Sequence, residues 1–255
     1  PPLPVVHDDL QHHASGCYAA HSGIKKWNRE AENKLIAAEK LSILAEWATG
    51  QPYPGDYGRA WKNVLFNQFH DILAGTSIEP AYEDARHMHG EAMSIAERGL
   101  NYAVQSFSWN IAIEEEEGMK PIVVFNPLSW DTKTNVELEV GGVKEGAVLT
   151  DESGKPVPHQ LVQSLATANG RYRLSFIAEL PSMGYRVYKL LPAAATAAAA
   201  VPVVQPIKAN DYSLENDRFR LEFDPGTGYI SSLYDKKAEH EVFLADAAKP
   251  VVIED

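Results

Sequence analysis

His70 and Asp71 stand side by side in WKNVLFNQFHDILAGTSIEPAYEDA, residues 61–85, where an amphipathic pattern is about to stop. A neutral imidazole can ligate a metal, and a carboxylate next to it can accept hydrogen bonds from a bound substrate. At a helix end both groups also have an ordinary use. A histidine facing the carbonyl end is favourable when protonated, and an aspartate there is simply solvated or capping. Spacing leaves both uses open, because a zinc or calcium site needs several ligands and no neighbour in sequence supplies them.

The other candidates are weaker. Nine histidines invite a search for metal pairs. His12 and His13 are adjacent, so on a strand they point to opposite faces. His87 and His89 are two apart, which on a helix separates them by roughly 200°. No HExxH, glycine-rich phosphate loop or GxSxG elbow occurs. The single cysteine, Cys17, excludes an intrachain disulfide framework and a cysteine-rich zinc site. It lies among small residues and reads as a buried, inert thiol, with His21 a poor base for it.

The elements that must position His70 and Asp71 read as helices. Residues 5–21 suggest a short strand and loop. Apolar positions then recur at helical spacing through Ile24, Trp27, Ala31, Leu35, Ala38, Leu41 and Ala45. TGQPYPGDYG, residues 49–58, ends this helix with glycine and proline. A second helix is expected over about 58–72 on Trp61, Leu65, Phe69 and Ile72, widened by Ala60 and Val64. Gly75 suits a left-handed C-terminal stop and Pro80 the first turn of a third helix, running to about Ile111. Three such helices with short connections predict an antiparallel bundle.

After the acidic connector IEEEEGMK, residues 113–120, the pattern changes to short alternating runs separated by turn residues. PIVVFNPLSW, NVELEV, the runs at 157–165, 171–180 and 184–191, and YSLENDRFRLEFDPGTGYISSLYDKK all fit strands. Asp224–Gly228 is a turn between two of them. PAAATAAAAVP, 192–202, is low in complexity and reads as a linker. The fold class expected is therefore α+β and multidomain: a three-helix bundle followed by an antiparallel β-sandwich that stops unfinished.

Composition limits the partners. A formal net charge of −12 argues against nucleic acid and against an anionic membrane surface. No apolar run reaches the length of a membrane span. The opening PPLPVVHDDLQHH is neither a signal nor a transit peptide and lacks an initiator methionine, so an upstream portion is expected to be missing.

Several stretches resemble one family. NQFHDILAGTSIEPAYEDA is similar to the Q-x-H-D segment and following G-T/S-S/T turn of glycoside hydrolase family 38 α-mannosidases. LQHHASGCYAAHSGIKKWNREAENKLIAAEKL resembles the start of that family's middle helical domain. VVFNPLSW and SLENDRFRLEFDPGTGYISSLYDKK resemble the opening of its C-terminal β domain, so the likeness runs over about residues 10–238. It implies a lead-in segment at 1–22 from a missing catalytic barrel, a middle bundle at 23–112 and the start of a β-sandwich at 118–255. It further implies a retaining, zinc-dependent α-mannosidase acting on α-mannosides in oligosaccharides, with His70 a zinc ligand and Asp71 a contact to bound mannose. The remaining ligands, a His-x-Asp pair and the nucleophilic aspartate, would lie in the barrel with the acid/base. The only stretch near the first pattern is His7-Asp8-Asp9. No catalytic residue is expected within this segment, which alone should be inactive.

The alternative is a non-catalytic carbohydrate-binding or interaction module on the same framework. Trp27, Trp61, Trp109 and Trp130 would then be sugar platforms, although three of them fall at or beside helical core positions. One cysteine leans towards a cytoplasmic location. The sequence leaves homo-oligomer formation open.

Overall fold

The computed structural model describes residues 3–8, 16–17, 19–50, 52–53, 55–143, 146–165, 170–192 and 207–249. His12, His13 and positions 193–202 of the alanine-rich linker lie outside them. The chain divides into two compact units, one of Pro1–Thr134 with Ala178–Lys189, the other of Asn135–Ile177 with Leu190–Asp255.

The first unit is built on helices α1 (Ser22–Thr49), α2 (Tyr57–Phe66), α3 (His70–Leu73) and α4 (Glu79–Ser108). Its lead-in at 3–8 forms no strand, contrary to expectation. Helix α1 buries Ile24, Ala31, Leu35, Ala38, Leu41 and Ala45, as their spacing predicts. It ends at Gly50, whose left-handed conformation lets its N–H reach Glu46 O. Ile24 packs with Tyr82 and Ala85 near the start of α4, while Leu41 and Ala45 pack with Ala103 near its end. Helices α1 and α4 therefore run side by side in the same direction. Helix α2 returns between them: Tyr57 bonds Ser42 late in α1, whereas Gln68, just beyond α2, bonds Asn28 and Glu32 early in it.

The expected helix over 58–72 breaks. Helix α2 stops at Phe66, and Phe69 takes an extended ψ of 137° before α3 restarts at His70. Asn67 contributes to the break: its side-chain amide is drawn back to Asn63 O at 2.7 Å. The buried face also differs from the expected stripe. Tyr57, Ala60, Val64 and Asn67 are buried, while Leu65 and Phe69 are exposed. Small residues let α2 approach Ala92 and Ala96 of α4 closely. A sequence period cannot choose between two adjacent apolar stripes; close helix packing does.

This unit also holds β1 (Lys120–Asn126), the start of β2 (Thr132–Gly141) and most of β6 (Gly184–Leu191), with β6 beside β1. At the end of β1 the buried Asn126 side chain donates to Trp130 O and Pro181 O, both at 2.9 Å, and accepts from Leu128 N–H. It fixes the turn of the NPLSW stretch.

The second unit contains most of β2, β3 (Val148–Asp151), β4 (His159–Gln163) and most of β5 (Arg171–Leu180). It continues with β7 (Lys208–Asn210), β8 (Ser213–Glu215), β9 (Phe219–Phe223), β10 (Ile230–Asp235) and β11 (His240–Glu241). One sheet has the order β2-β5-β4, another β11-β10-β9-β8-β7. Strands β9 and β10 are antiparallel, with Leu221 opposite Leu233, and the predicted turn Asp224–Gly228 joins them. Antiparallel sheet thus follows the helical region, and the α+β class holds.

Candidate functional site

His70 opens the four-residue helix α3, so it sits at a helix start and not at the end of a longer helix. Its Nε2 lies 3.5 Å from Asp71 Oδ1, and the two side chains are 78% and 55% exposed. The Phe69 ring rests against the imidazole, 4.2 Å between centroids and tilted by 42°. Both chemical groups are reachable, and neither belongs to a core.

Beneath them the backbone is closely held. Asp71 O accepts from Thr76 N–H at 3.0 Å and from the Tyr82 hydroxyl at 3.3 Å. That hydroxyl accepts in turn from Ser77 N–H at 3.0 Å. The Tyr82 ring is stacked on His21, 3.9 Å away and within 11° of parallel. Gly75 has a φ of +89°, and a Cβ there would stand 2.7 Å from Ala20 O. The predicted glycine stop is thus needed twice, for its conformation and for the lack of a side chain. Ile72 and Leu73, half-buried, pack against Ile24, Tyr82 and Ala85.

Sequence reasoning singled out His70, Asp71 and Gly75. It missed Tyr82, whose only signal was its presence in the helix after the turn. Among the described residues, no three of His, Cys, Asp and Glu come together as a group able to hold a metal. His87 is exposed beside Arg86, whereas His89 is wholly buried in α4, its Nδ1 donating to Ala85 O at 2.9 Å. Burial pushes the His89 pKa below the usual histidine value, partly opposed by that bond. Cys17 is half-buried and not the buried thiol expected. The tryptophans divide: Trp27 and Trp61 pack on helical cores, but Trp109 is 82% and Trp130 62% exposed, which corrects the core expectation for Trp109.

A family model, "Alpha mannosidase middle domain", matches residues 12–107, which include the whole His70–Gly75 segment. The match supports a fragment of a family 38 α-mannosidase. The mouse protein "Alpha-mannosidase 2C1" is 33% identical over 118 residues, 46% of this chain and 11% of that protein. The human "Epididymis-specific alpha-mannosidase" is 25% identical over 268 residues, 89% of this chain and 25% of its own length. A crystal structure of an α-mannosidase from Enterococcus faecalis V583 superposes with a TM-score of 0.70 at 19% identity, covering 89% of this chain and 29% of that one, and shows a shared fold. The chain spans a quarter or less of these two curated relatives. No helix among the described residues is long and apolar enough to cross a membrane.

Proposed function

We propose that this chain supplies the middle domain and the start of the β domain of a retaining, zinc-dependent α-mannosidase that hydrolyses α-mannosidic bonds in oligosaccharides. His70 is one zinc ligand and Asp71 a contact to the bound mannose. The carrying observation is the pair itself: two adjacent, exposed groups on a short helix whose backbone is held from below. An imidazole with this exposure fits one corner of a tetrahedral zinc shell, and two donors fall short of the four that a shell needs. The other ligands, the nucleophile and the acid/base therefore come from residues outside this set, and the isolated chain is inactive. Retaining glycosidases need two carboxyl groups about 5–5.5 Å apart. When bound, zinc supplies Lewis-acid orientation of the sugar's hydroxyls.

What His70 and Asp71 themselves do is simpler. The His70 imidazole has a nitrogen lone pair to offer a metal, and the Asp71 carboxylate accepts hydrogen bonds from sugar hydroxyls. Exposed Leu65, Phe66, Phe69 and Ile78 flank the pair in sequence, as residues covered by another domain would. In this scheme residues 1–22 lead in from the catalytic barrel, 23–112 are the middle domain and 118–255 begin the β domain. The parent enzyme is cytoplasmic, consistent with its single cysteine in this segment.

The test uses the full-length enzyme. His70→Ala is expected to lose zinc and nearly all turnover; Asp71→Asn keeps zinc but raises KM and lowers kcat. Normal zinc content and activity in His70→Ala would remove the ligand assignment. A second reading, a sugar-binding module without catalysis, draws on exposed Trp109 and Trp130. Loss of mannoside affinity in Trp109→Ala and Trp130→Ala, with His70→Ala unchanged, would favour it.

A further inference from the structure

A four-residue helix whose own anchors are only the half-buried Ile72 and Leu73 does not by itself fix the direction of the side chains it carries. Something outside α3 must do so. The Tyr82 hydroxyl joins both ends of the HDILAGTS segment, donating to Asp71 O at 3.3 Å and accepting from Ser77 N–H at 3.0 Å. Its ring is itself held, buried between the Ile24–Ala85 cluster and the stacked face of His21. Tyr82 belongs to the long helix α4, packed along α1, so the contact ties the exposed turn to the packed part of the bundle.

We infer that Tyr82 is the positioning residue of the His70–Asp71 pair: its hydroxyl sets the α3 turn so that the imidazole and carboxylate face the substrate side in one orientation. The inference rests on the site assignment above. It acts through the backbone, so Tyr82 touches neither metal nor sugar. Misplacement of a ligating or binding group by about 1 Å can cost about a hundredfold in rate. Loss of one neutral hydrogen bond shifts a local equilibrium by about three- to tenfold.

Tyr82→Phe tests this, because it removes the hydroxyl and keeps the ring and its stack. In the full-length enzyme kcat is expected to fall about three- to tenfold, the effect of that bond, with zinc held less tightly against a competing chelator and the unfolding midpoint little changed. In the 255-residue chain, amide hydrogen exchange should quicken at Ser77 and Thr76 while amides of α4 stay protected. Wild-type kcat, zinc affinity and Ser77 protection in Tyr82→Phe would overturn the inference. Its failure is distinct from failure of the site assignment. An active, zinc-replete His70→Ala enzyme sinks the assignment, whereas an inactive His70→Ala beside an unaltered Tyr82→Phe sinks only the role of Tyr82.

Discussion

The seam between α1 and α4 and the turn around α3 are opposites within one bundle. In the seam Ala31, Leu35, Ala38, Ala92 and Ala96 are wholly shielded from water, with Tyr57, Ala60 and Val64 closing the third side. In α3 no residue is buried, and its first two side chains are largely exposed. The seam carries the packing and offers no ligand to a substrate. The turn carries the candidate pair and no fully buried residue, so its position is borrowed from Gly75, from Tyr82 and from the packing of half-buried Ile72 and Leu73 on Ile24 and Ala85. Such separation keeps reactive groups accessible without loosening the scaffold.

The strongest way to break this contrast is to crowd the seam. The Tyr57 hydroxyl lies 1.8 Å from where a Cβ on Gly99 would stand, and its bond to Ser42 at 2.9 Å stops it from moving aside freely. Gly99→Ala is expected to destabilise the chain by about 3 kcal/mol. Gly90, on the same helix with open space beside it, is the control. Gly90→Ala should gain about 0.5–1 kcal/mol from helix propensity. Urea unfolding of both variants measures the difference, and equal midpoints would show that the seam is not tightly closed.

Acid is a milder probe of the buried side of α4. His89 is buried, its Nε2 has no hydrogen-bond partner among the described residues, and burial depresses its folded pKa below the ordinary 6.5. The unfolded chain binds a proton at a higher pH than the folded chain does. Stability is therefore full above about pH 6.5 and declines as pH falls from there towards the folded pKa. His89→Leu should flatten this part of the curve of unfolding midpoint against pH. An unchanged slope would assign the acid sensitivity elsewhere.

The smallest effect sharpens the other side of the comparison. His70→Ala in this chain should change stability by less than about 0.5 kcal/mol, since the side chain removed is exposed and its ring contact, Phe69, is exposed too. A loss above about 1 kcal/mol would mean that His70 holds the turn together, contrary to its exposure.

Much of this was legible in the residues. The period of α1 named its buried face correctly, Gly75 and Pro80 marked the turn before α4, and the alternation around Asp224–Gly228 gave an antiparallel pair. Those features are written locally, in side-chain spacing and in the backbone freedom of glycine and proline. The candidate His-Asp pair was singled out for the same reason, as a short contiguous motif, and its proposed role awaits the His70 and Asp71 variants.

What the tertiary structure alone decided involves partners far apart in sequence. It chose Ala60 and Val64 over Leu65 and Phe69 as the inner face of α2, where they pack with Ala92 and Ala96. It broke the helix before His70, left Trp109 in solvent, and set Tyr57 over Gly99. It also brought Tyr82 under Asp71. Periodicity reports that a face is apolar, but the neighbour that fills it is fixed by packing of the whole bundle, where volume and hydrogen bonding between distant residues must both be satisfied.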